Sequence, residues 1–412
     1  MIQFSIKKTH AIVGLLLLLA LIIVGPLTVF FVLTRTHITP HVQAQTQAQV
    51  QKGKLTQSNM GTTSNPTTPT TLISGNVPAF SSAGYFPASD ANDDSYDTAW
   101  RSNGTPAWLA YDLSNVSATQ RSKVLVVWYN ESTNYDHTII NNFSYNMPED
   151  YTLDVNSASG GANPPSTGWK TVVAVQANHY HSRQHIISMA GDNWIRISVT
   201  KIDGAPQNLD ANINMDVYNA NTAVADDWIF YGDSITALAM GHNTIDSIKA
   251  FAQLIDARSS GNYPVQEAGG TGFLTSSDAL KYINSWLQLF PGKYVGLSYG
   301  TNDALGCLNG LTFYSNYLTM VQAALQAGKI PVIPHIPWGR NASIQRCGPA
   351  LNAEIDKLYA AFPQIIKGPD LWGYFFHNQS LISDDNIHPT AMGMGVYRQL
   401  WANAMLAEVY HR

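Results

Sequence analysis

Charge is scarce in this chain. Asp, Glu, Lys and Arg make up 12% of its 412 residues, with Ser, Thr and Asn in their place, and the net charge of -5 leaves no basic excess. No footprint for phosphates exists, so no nucleic-acid partner is expected. Cysteine is nearly absent. Cys307 and Cys347 allow one disulfide at most, which fits an oxidising compartment; the other reading is two unrelated buried thiols. Large apolar residues are few from Thr34 to about Thr71, a Gln/Thr/Ser-rich stretch too polar to bury a core. What is plentiful is aromatic: 10 Trp, 20 Tyr and 14 Phe in a chain 45% apolar, enough for sizeable cores in two domains.

The N-terminus holds the longest apolar run. Ala11 to Leu33 is 23 residues without a charge. At ~1.5 Å per residue it spans about 35 Å as a helix, enough for a hydrocarbon core of ~30 Å. Lys7 and Lys8 precede it, so residues 1–10 are expected in the cytoplasm and everything after the span outside. The competing reading is a cleaved signal peptide, but the nearest small-x-small site, Val42-Gln43-Ala44, lies well past the apolar end. Either way the body of the protein is expected outside the cytoplasm, cell-membrane anchored or secreted. Residues 34–75 are expected to be a flexible linker with a reach of roughly 35 Å.

Two textures follow. Residues 76–221 hold short β-type runs: "AWLAYDL", "KVLVVWYN", "DYTLDV", "KTVVAV", "QHIISM" and "NWIRISVT". In the last, Trp194, Ile195, Ile197 and Val199 interleave with Arg196, Ser198 and Thr200. Short strands punctuated by turn residues predict an antiparallel β-sandwich. From residue 226 to 412 strands alternate with amphipathic helices: "DWIFYG", "TIDSIKAFAQLIDAR", "YPVQEAG", "SSDALKYINSWLQLF", "KYVGLSYG", "FYSNYLTMVQAALQAG", "KIPVIPHI", "PALNAEIDKLYAAF" and a last helix from Pro389 to about Tyr410. That alternation predicts βαβ units around a parallel sheet, with reactive groups on loops at the carboxyl ends of the strands.

Ser234 sits at such an end, in "WIFYGDSIT". Alone it reads equally as a helix cap or a nucleophile. A nucleophilic serine needs a base, and the base needs a group to orient it. "SDDNIHPTAMG" supplies both: Asp385 and His388, three residues apart, fit on one side of a turn. Oxyanion donors are also needed. "AGGTGFLT" offers the Gly272 N–H and "SYGTNDA" the Asn302 amide; each alone also reads as an ordinary turn or cap.

Together the four resemble the SGNH (GDSL-type) hydrolase family: Ser234 in Gly-Asp-Ser, Gly272, Asn302 in Gly-x-Asn-Asp, and His388 in Asp-x-x-His, with Asp385 the carboxylate. Gly269 and Gly270 compete for the glycine; Gly272 is chosen because it falls three after Gly269. The likeness spans residues 226–412. It implies a flavodoxin-like three-layer α/β/α fold and two-step ester hydrolysis through Ser234, His388 and Asp385. The Ser234 and Gly272 N–H groups and the Asn302 amide would hold the oxyanion, with no metal or organic cofactor. Both cysteines fall on loops expected at this face, so a Cys307–Cys347 bond would staple the pocket wall, and His335 and Trp338 are candidates for its rim.

"SDANDDSYDTAWRSNGTPAWLAYDLS" resembles the opening of discoidin-type, galactose-binding-like sandwiches, through Asp93 or Asp94, Thr98, Trp100, Trp108, Leu109, Asp112 and Leu113. Many such domains bind glycans and some hold a structural Ca²⁺ at the Asp-rich turn; plain loop acidity is the favoured reading of that turn here. "NHYHSRQHII", Asn178 to Ile187, is either a ligand loop or a surface packed on the second domain. The expectation is an extracytoplasmic serine esterase that removes acyl, foremost acetyl, groups from a carbohydrate. A lipase or thioesterase is the alternative enzyme, and a glycan-binding protein with an inactive hydrolase domain the alternative of another class. Asn130 and Asn341 head Asn-x-Ser sequons, which matter only in a glycosylating host.

Overall fold

Sixteen strands are present in the computed structural model, which describes residues 71–93, 95, 98–130, 134–135, 143–144, 147–203, 210–241, 250–259 and 261–412. The expected anchor at 11–33 and most of the linker lie outside them. Among the described residues, no helix is long and apolar enough to cross a membrane.

The N-terminal half is built from β1 (Ala79–Ser81), β2 (Trp100–Arg101), β3 (Ala107–Asp112), β4 (Lys123–Tyr129), β5 (Asn134–Tyr135), β6 (Phe143–Ser144), β7 (Met147–Asn156), β8 (Lys170–Val175), β9 (Ser182–Ser188), β10 (Trp194–Asp203) and β11 (Asn212–Asn219). All pairings are antiparallel, in a five-stranded sheet β1-β3-β10-β7-β8, a four-stranded sheet β2-β11-β4-β9 and a small β5-β6 pair. Leu109, Tyr111, Leu153, Ile195 and Ile197 of the first sheet meet Val124, Val126, Trp128, Ile213 and Met215 of the second in one core. The alternation expected for β10 is what the burial shows: Ile195, Ile197 and Val199 are buried while Thr200 is exposed. Ile73 and Ser74 donate to the Val217 carbonyl and Thr71 to that of Tyr263. The last residues of the expected linker are therefore tied into the fold.

The C-terminal half has five parallel strands: β12 (Asp227–Gly232), β13 (Val265–Gly270), β14 (Tyr294–Ser298), β15 (Ile330–Ile333) and β16 (Ile366–Lys367). Their order, β13-β12-β14-β15-β16, is the flavodoxin-like 2-1-3-4-5. Between them run α1 (Ser234–Gly241), α2 (Phe251–Asp256), α3 (Ser276–Ala279), α4 (Ile283–Leu289), α5 (Thr301–Leu305), α6 (Gly310–Gln326), α7 (Ala342–Ala361), α8 (Leu371–His377) and α9 (Ala391–Glu408). Side chains of β12 alternate between two cores. Ile229 and Tyr231 join α4, α6 and α7 on one face, and Trp228 and Phe230 join α2, α8 and α9 on the other. These are the three layers.

Several helices differ from their sequence expectation. The "SSDALKYINSWLQLF" helix breaks into α3 and α4. Helix α7 starts well before Pro349 and runs through it. Helix α9 begins at Ala391, because the Thr390 hydroxyl accepts the Gly393 N–H and caps it, leaving Pro389 outside. In place of the long "TIDSIKAFAQLIDAR" helix only α2 falls among the described residues.

The two halves are packed together within one compact unit, residues 66–412. Strand β4 is buried on both faces: Val124, Val126 and Trp128 face the sandwich core, while Leu125 and Val127 pack with Val265 of β13. The Gln184 amide donates to Asp227 Oδ1 across the junction (3.0 Å).

Candidate active site

Strand β12 carries the chain straight into α1 through Gly232 and Asp233. The turn is tight enough to demand glycine: a Cβ on Gly232 would lie 2.2 Å from Thr236 Oγ1 and 2.7 Å from the Ser298 carbonyl. Asp233 is buried, and its Oδ1 accepts the Ile235 N–H at 3.0 Å, closing the first turn. Burial pushes the Asp233 carboxyl up to about 6, against the pull of the Ile235 N–H, Thr301 and His388. Ser234, half-buried, thus stands at the N-terminus of α1 beyond the carboxyl end of β12.

The partner arrives from the other end of the half. A short reversal before α9 is closed by the Ile382–Pro389 bridge and a Ser383 N–H bond to the His388 carbonyl (2.8 Å), with Asn386 at φ +67°. It brings His388 Nε2 to 2.7 Å from Ser234 Oγ. On the far side of the ring, His388 Nδ1 lies 2.6 Å from Asp385 Oδ2. Asp385 Oδ1 accepts the Ser383 hydroxyl (2.7 Å) and the Ile387 and His388 N–H groups (2.8 and 2.9 Å). Partial burial raises this carboxyl, but those donors outweigh it and hold it well below the usual carboxylate range. An ionised Asp385 fixes the proton on Nδ1, so Nε2 is left to accept from the serine.

Gly272 is buried just past β13, and Asn302 lies in the first turn of α5 just past β14. Asn302 Nδ2 donates to the Leu274 carbonyl at 2.9 Å, which ties the two loops together. A second tie runs beneath. Asp303 accepts the Ser276 N–H (3.0 Å) and hydroxyl (2.5 Å), and Asn316 Nδ2 donates to the same hydroxyl (2.9 Å). Gly270 is squeezed against α1: a Cβ there would meet the Ala237 nitrogen at 2.3 Å.

This places a hydroxyl, an imidazole, a carboxylate and a tied pair of candidate donor loops at the carboxyl ends of the strands. Residues 230–396 match the model of the GDSL-like Lipase/Acylhydrolase family. This half is a GDSL-like lipase/acylhydrolase domain. The protein is a serine ester hydrolase. No curated protein matches the chain. Among solved structures, a lipolytic protein of the G-D-S-L family from Veillonella parvula is 19% identical, over 45% of this chain and 98% of its own, with a TM-score of 0.36. The YXIM protein of Bacillus subtilis is 12% identical over 80% of this chain and 88% of its own (TM-score 0.41). A chitosan-binding module of a Paenibacillus chitosanase/glucanase is 20% identical over 36% of this chain and 99% of its own (TM-score 0.26).

Other expected residues around the GDSL-like domain fall as follows. Cys307 and Cys347 are disulfide-bonded, with Cα atoms 5.3 Å apart. Cys347 lies in α7 and not in a loop, so the bond ties the segment just after Asn302 to a helix. Trp338 is buried edge-on to Phe376. His335 lies between Asp356 (3.1 Å) and Asp370 (3.2 Å). Both side chains are therefore engaged, Trp338 in packing and His335 in hydrogen bonds. In the sandwich, Asp93 spends its oxygens on the Ser95 N–H (3.0 Å) and the Thr98 hydroxyl (2.7 Å), while Asp94 lies outside the described residues. Among the described residues, no group of three His, Cys, Asp or Glu is placed to hold a metal ion.

Two residues near the site escaped the sequence reading. Asp303 was visible as the last residue of "GTND". Arg398 is buried in α9 and donates to the Ala239 carbonyl at the end of α1 (2.7 Å), so the last helix grips the helix of Ser234. An arginine inside the apolar "MGVYRQLWANAM" was its only signal.

Proposed function

We propose that Ser234 is the nucleophile of an extracytoplasmic, membrane-anchored esterase that removes acyl groups, acetyl foremost, from a carbohydrate. The observation that carries the reaction is the line Ser234 Oγ, His388 Nε2, Asp385, with steps of 2.7 and 2.6 Å. His388 Nε2 takes the serine proton as Oγ bonds to the ester carbon. The carbonyl oxygen becomes an oxyanion, held by the Ser234 and Gly272 N–H groups and by the Asn302 N–H not used on Leu274. The ring proton passes to the departing alkoxide, which leaves as the alcohol. Water then gives a proton to His388, attacks the acyl-serine and releases the acid, and Ser234 regains its proton. These residues supply the whole proton inventory without a cofactor.

The sugar reading rests on the docked sandwich. Tyr85 and Phe86 stand side by side on its surface, 61% and 51% exposed, with the Arg101 guanidinium over the Tyr85 ring at 5.4 Å. Paired exposed aromatics beside a charged donor suit a sugar face better than bulk solvent. A lipid or thioester substrate would demand a long apolar groove at Ser234. A purely glycan-binding role leaves an intact Ser234, His388 and Asp385 line without a purpose.

The test is hydrolysis of nitrophenyl acetate, butyrate and longer esters, and acetate release from acetylated glycans. A steep preference for acetyl is expected; rates that rise with chain length would contradict the sugar reading in favour of a lipase.

A further inference from the structure

Strand β13 is the outer strand of its sheet, with β12 on one side only. An uncovered edge presents a row of unpaired backbone groups. Here the sandwich covers it. The Ser182 hydroxyl donates to the Ala268 carbonyl, and the His181 imidazole lies against the Gly270 backbone. Ala268 and Gly270 are two residues apart, so their outward backbone groups share one side of the strand. His181 is buried, and its Nε2 has no partner among the described residues. The segment singled out in the sequence, Asn178 to Ile187, is thus a junction surface.

A face of the strand end is equally constrained, because Gly270 lies against the backbone of α1. We propose that His181 and Ser182 are positioning residues for catalysis: they stand in for the missing strand on the edge of β13 and fix where Gly272, two residues beyond Gly270, meets the oxyanion above Ser234. The sandwich is then a working part of the GDSL-like domain, and isolated β12–α9 chemistry is incomplete without it. This rests on the reading of Gly272 as an oxyanion donor.

Three variants test it in the full chain: Ser182→Ala, Ser182→Thr and His181→Phe. Deuterium uptake by peptides spanning 265–274 reads the clamp without needing turnover. Uptake should rise in Ser182→Ala and His181→Phe, and return towards wild type in Ser182→Thr, which keeps the hydroxyl. With nitrophenyl acetate, kcat should fall by about tenfold in the first two, with KM within about twofold, since a misplaced oxyanion donor acts on the transition state alone. Unchanged uptake and unchanged kcat would overturn the proposal. A raised KM at constant kcat would overturn it too, by making this segment a substrate contact. A wild type without turnover would sink the esterase reading while leaving the exchange result to judge the clamp.

Discussion

Ser234 and His388 are 154 positions apart, yet Oγ and Nε2 stand 2.7 Å from each other. One closes the first strand of the parallel sheet, and the other waits before the last helix. The whole α/β half must fold before the pair exists. Arg398 of α9, bonded to the end of α1, holds those two helices in register.

Removing the proposed nucleophile should leave nothing but background. Ser234→Ala is expected to lower kcat by at least ~10⁴-fold, and Asn302→Ala by about 10²–10³-fold, because the other donors remain. Steady-state kinetics with nitrophenyl acetate measures both, and equal losses would count against the assigned roles.

Asp385→Asn should cost about 10³–10⁴-fold in kcat, since an amide no longer fixes the proton on Nδ1. Its folded carboxyl is held far down, so its contribution is present above the ordinary carboxylate range and disappears only as pH falls through the lowered value. Acid inactivation above about pH 4 is then not a titration of Asp385. A loss in Asp385→Asn of less than about tenfold would contradict the role given to this carboxylate.

Glu267 gives the junction a pH signature. It is 1% exposed, lines a cavity of about 20 Å³ with His181, Ser182 and Gln184, and its Oε1 has no partner among the described residues. Burial pushes its carboxyl up to about 8, partly offset by Gln184, Ser182 and Arg183. Asp227 and Tyr231 of β12 and Tyr151 of β7 also face it. The folded protein therefore holds a proton that the unfolded chain releases near pH 4.5, so stability falls as pH rises from about 4.5 to 8. The melting temperature should drop on the order of 5 °C across that window, and Glu267→Gln should flatten the drop. Parallel curves for the two proteins would refute it.

The disulfide closes a loop of 40 residues, worth about 3–4 kcal/mol by chain entropy. Reduction, or Cys307→Ser with Cys347→Ser, should lower the unfolding free energy by that order and loosen the Asn302 turn, with kcat reduced more than KM is raised. Denaturant melts with and without reductant measure the first, and a coincident pair of melts would be inconsistent with a structural bond.

Gly270→Ala should be severely destabilising, by about 2 kcal/mol or more, because the added methyl meets backbone of α1 and not a movable side chain. A folded, fully active Gly270→Ala protein would contradict the packing described here.

The alternating strands and helices of the second half were legible because parallel βαβ units put their periodicity into the sequence. β16, two residues long, carries no period to read, and neither do β1 and β2, at three and two residues. β11, "NINMDVYN", was hidden by its asparagines, buried at Asn212 and Asn214 through contacts the sequence does not reveal. Pro349 misled because a proline reads as the start of a helix, whereas α7 runs through it. A clearer missed signal is "KVLVVWY": an antiparallel strand apolar at every residue from Val124 to Tyr129 must be covered on both faces, and that is where the halves dock. Of the site, the spacing Asp385 to His388 was readable, and so was the turn at Ser234. The ties from Asp303, Asn316 and Ser182 were not, since each joins segments that only the fold brings together.

The central claim is that Ser234 is activated by His388. Incubation with a fluorophosphonate, followed by peptide mass analysis, tests it directly. The account predicts one stoichiometric adduct on Ser234, lost in Ser234→Ala and strongly slowed in His388→Ala. An unmodified Ser234, or labelling that is equally fast without His388, would contradict it.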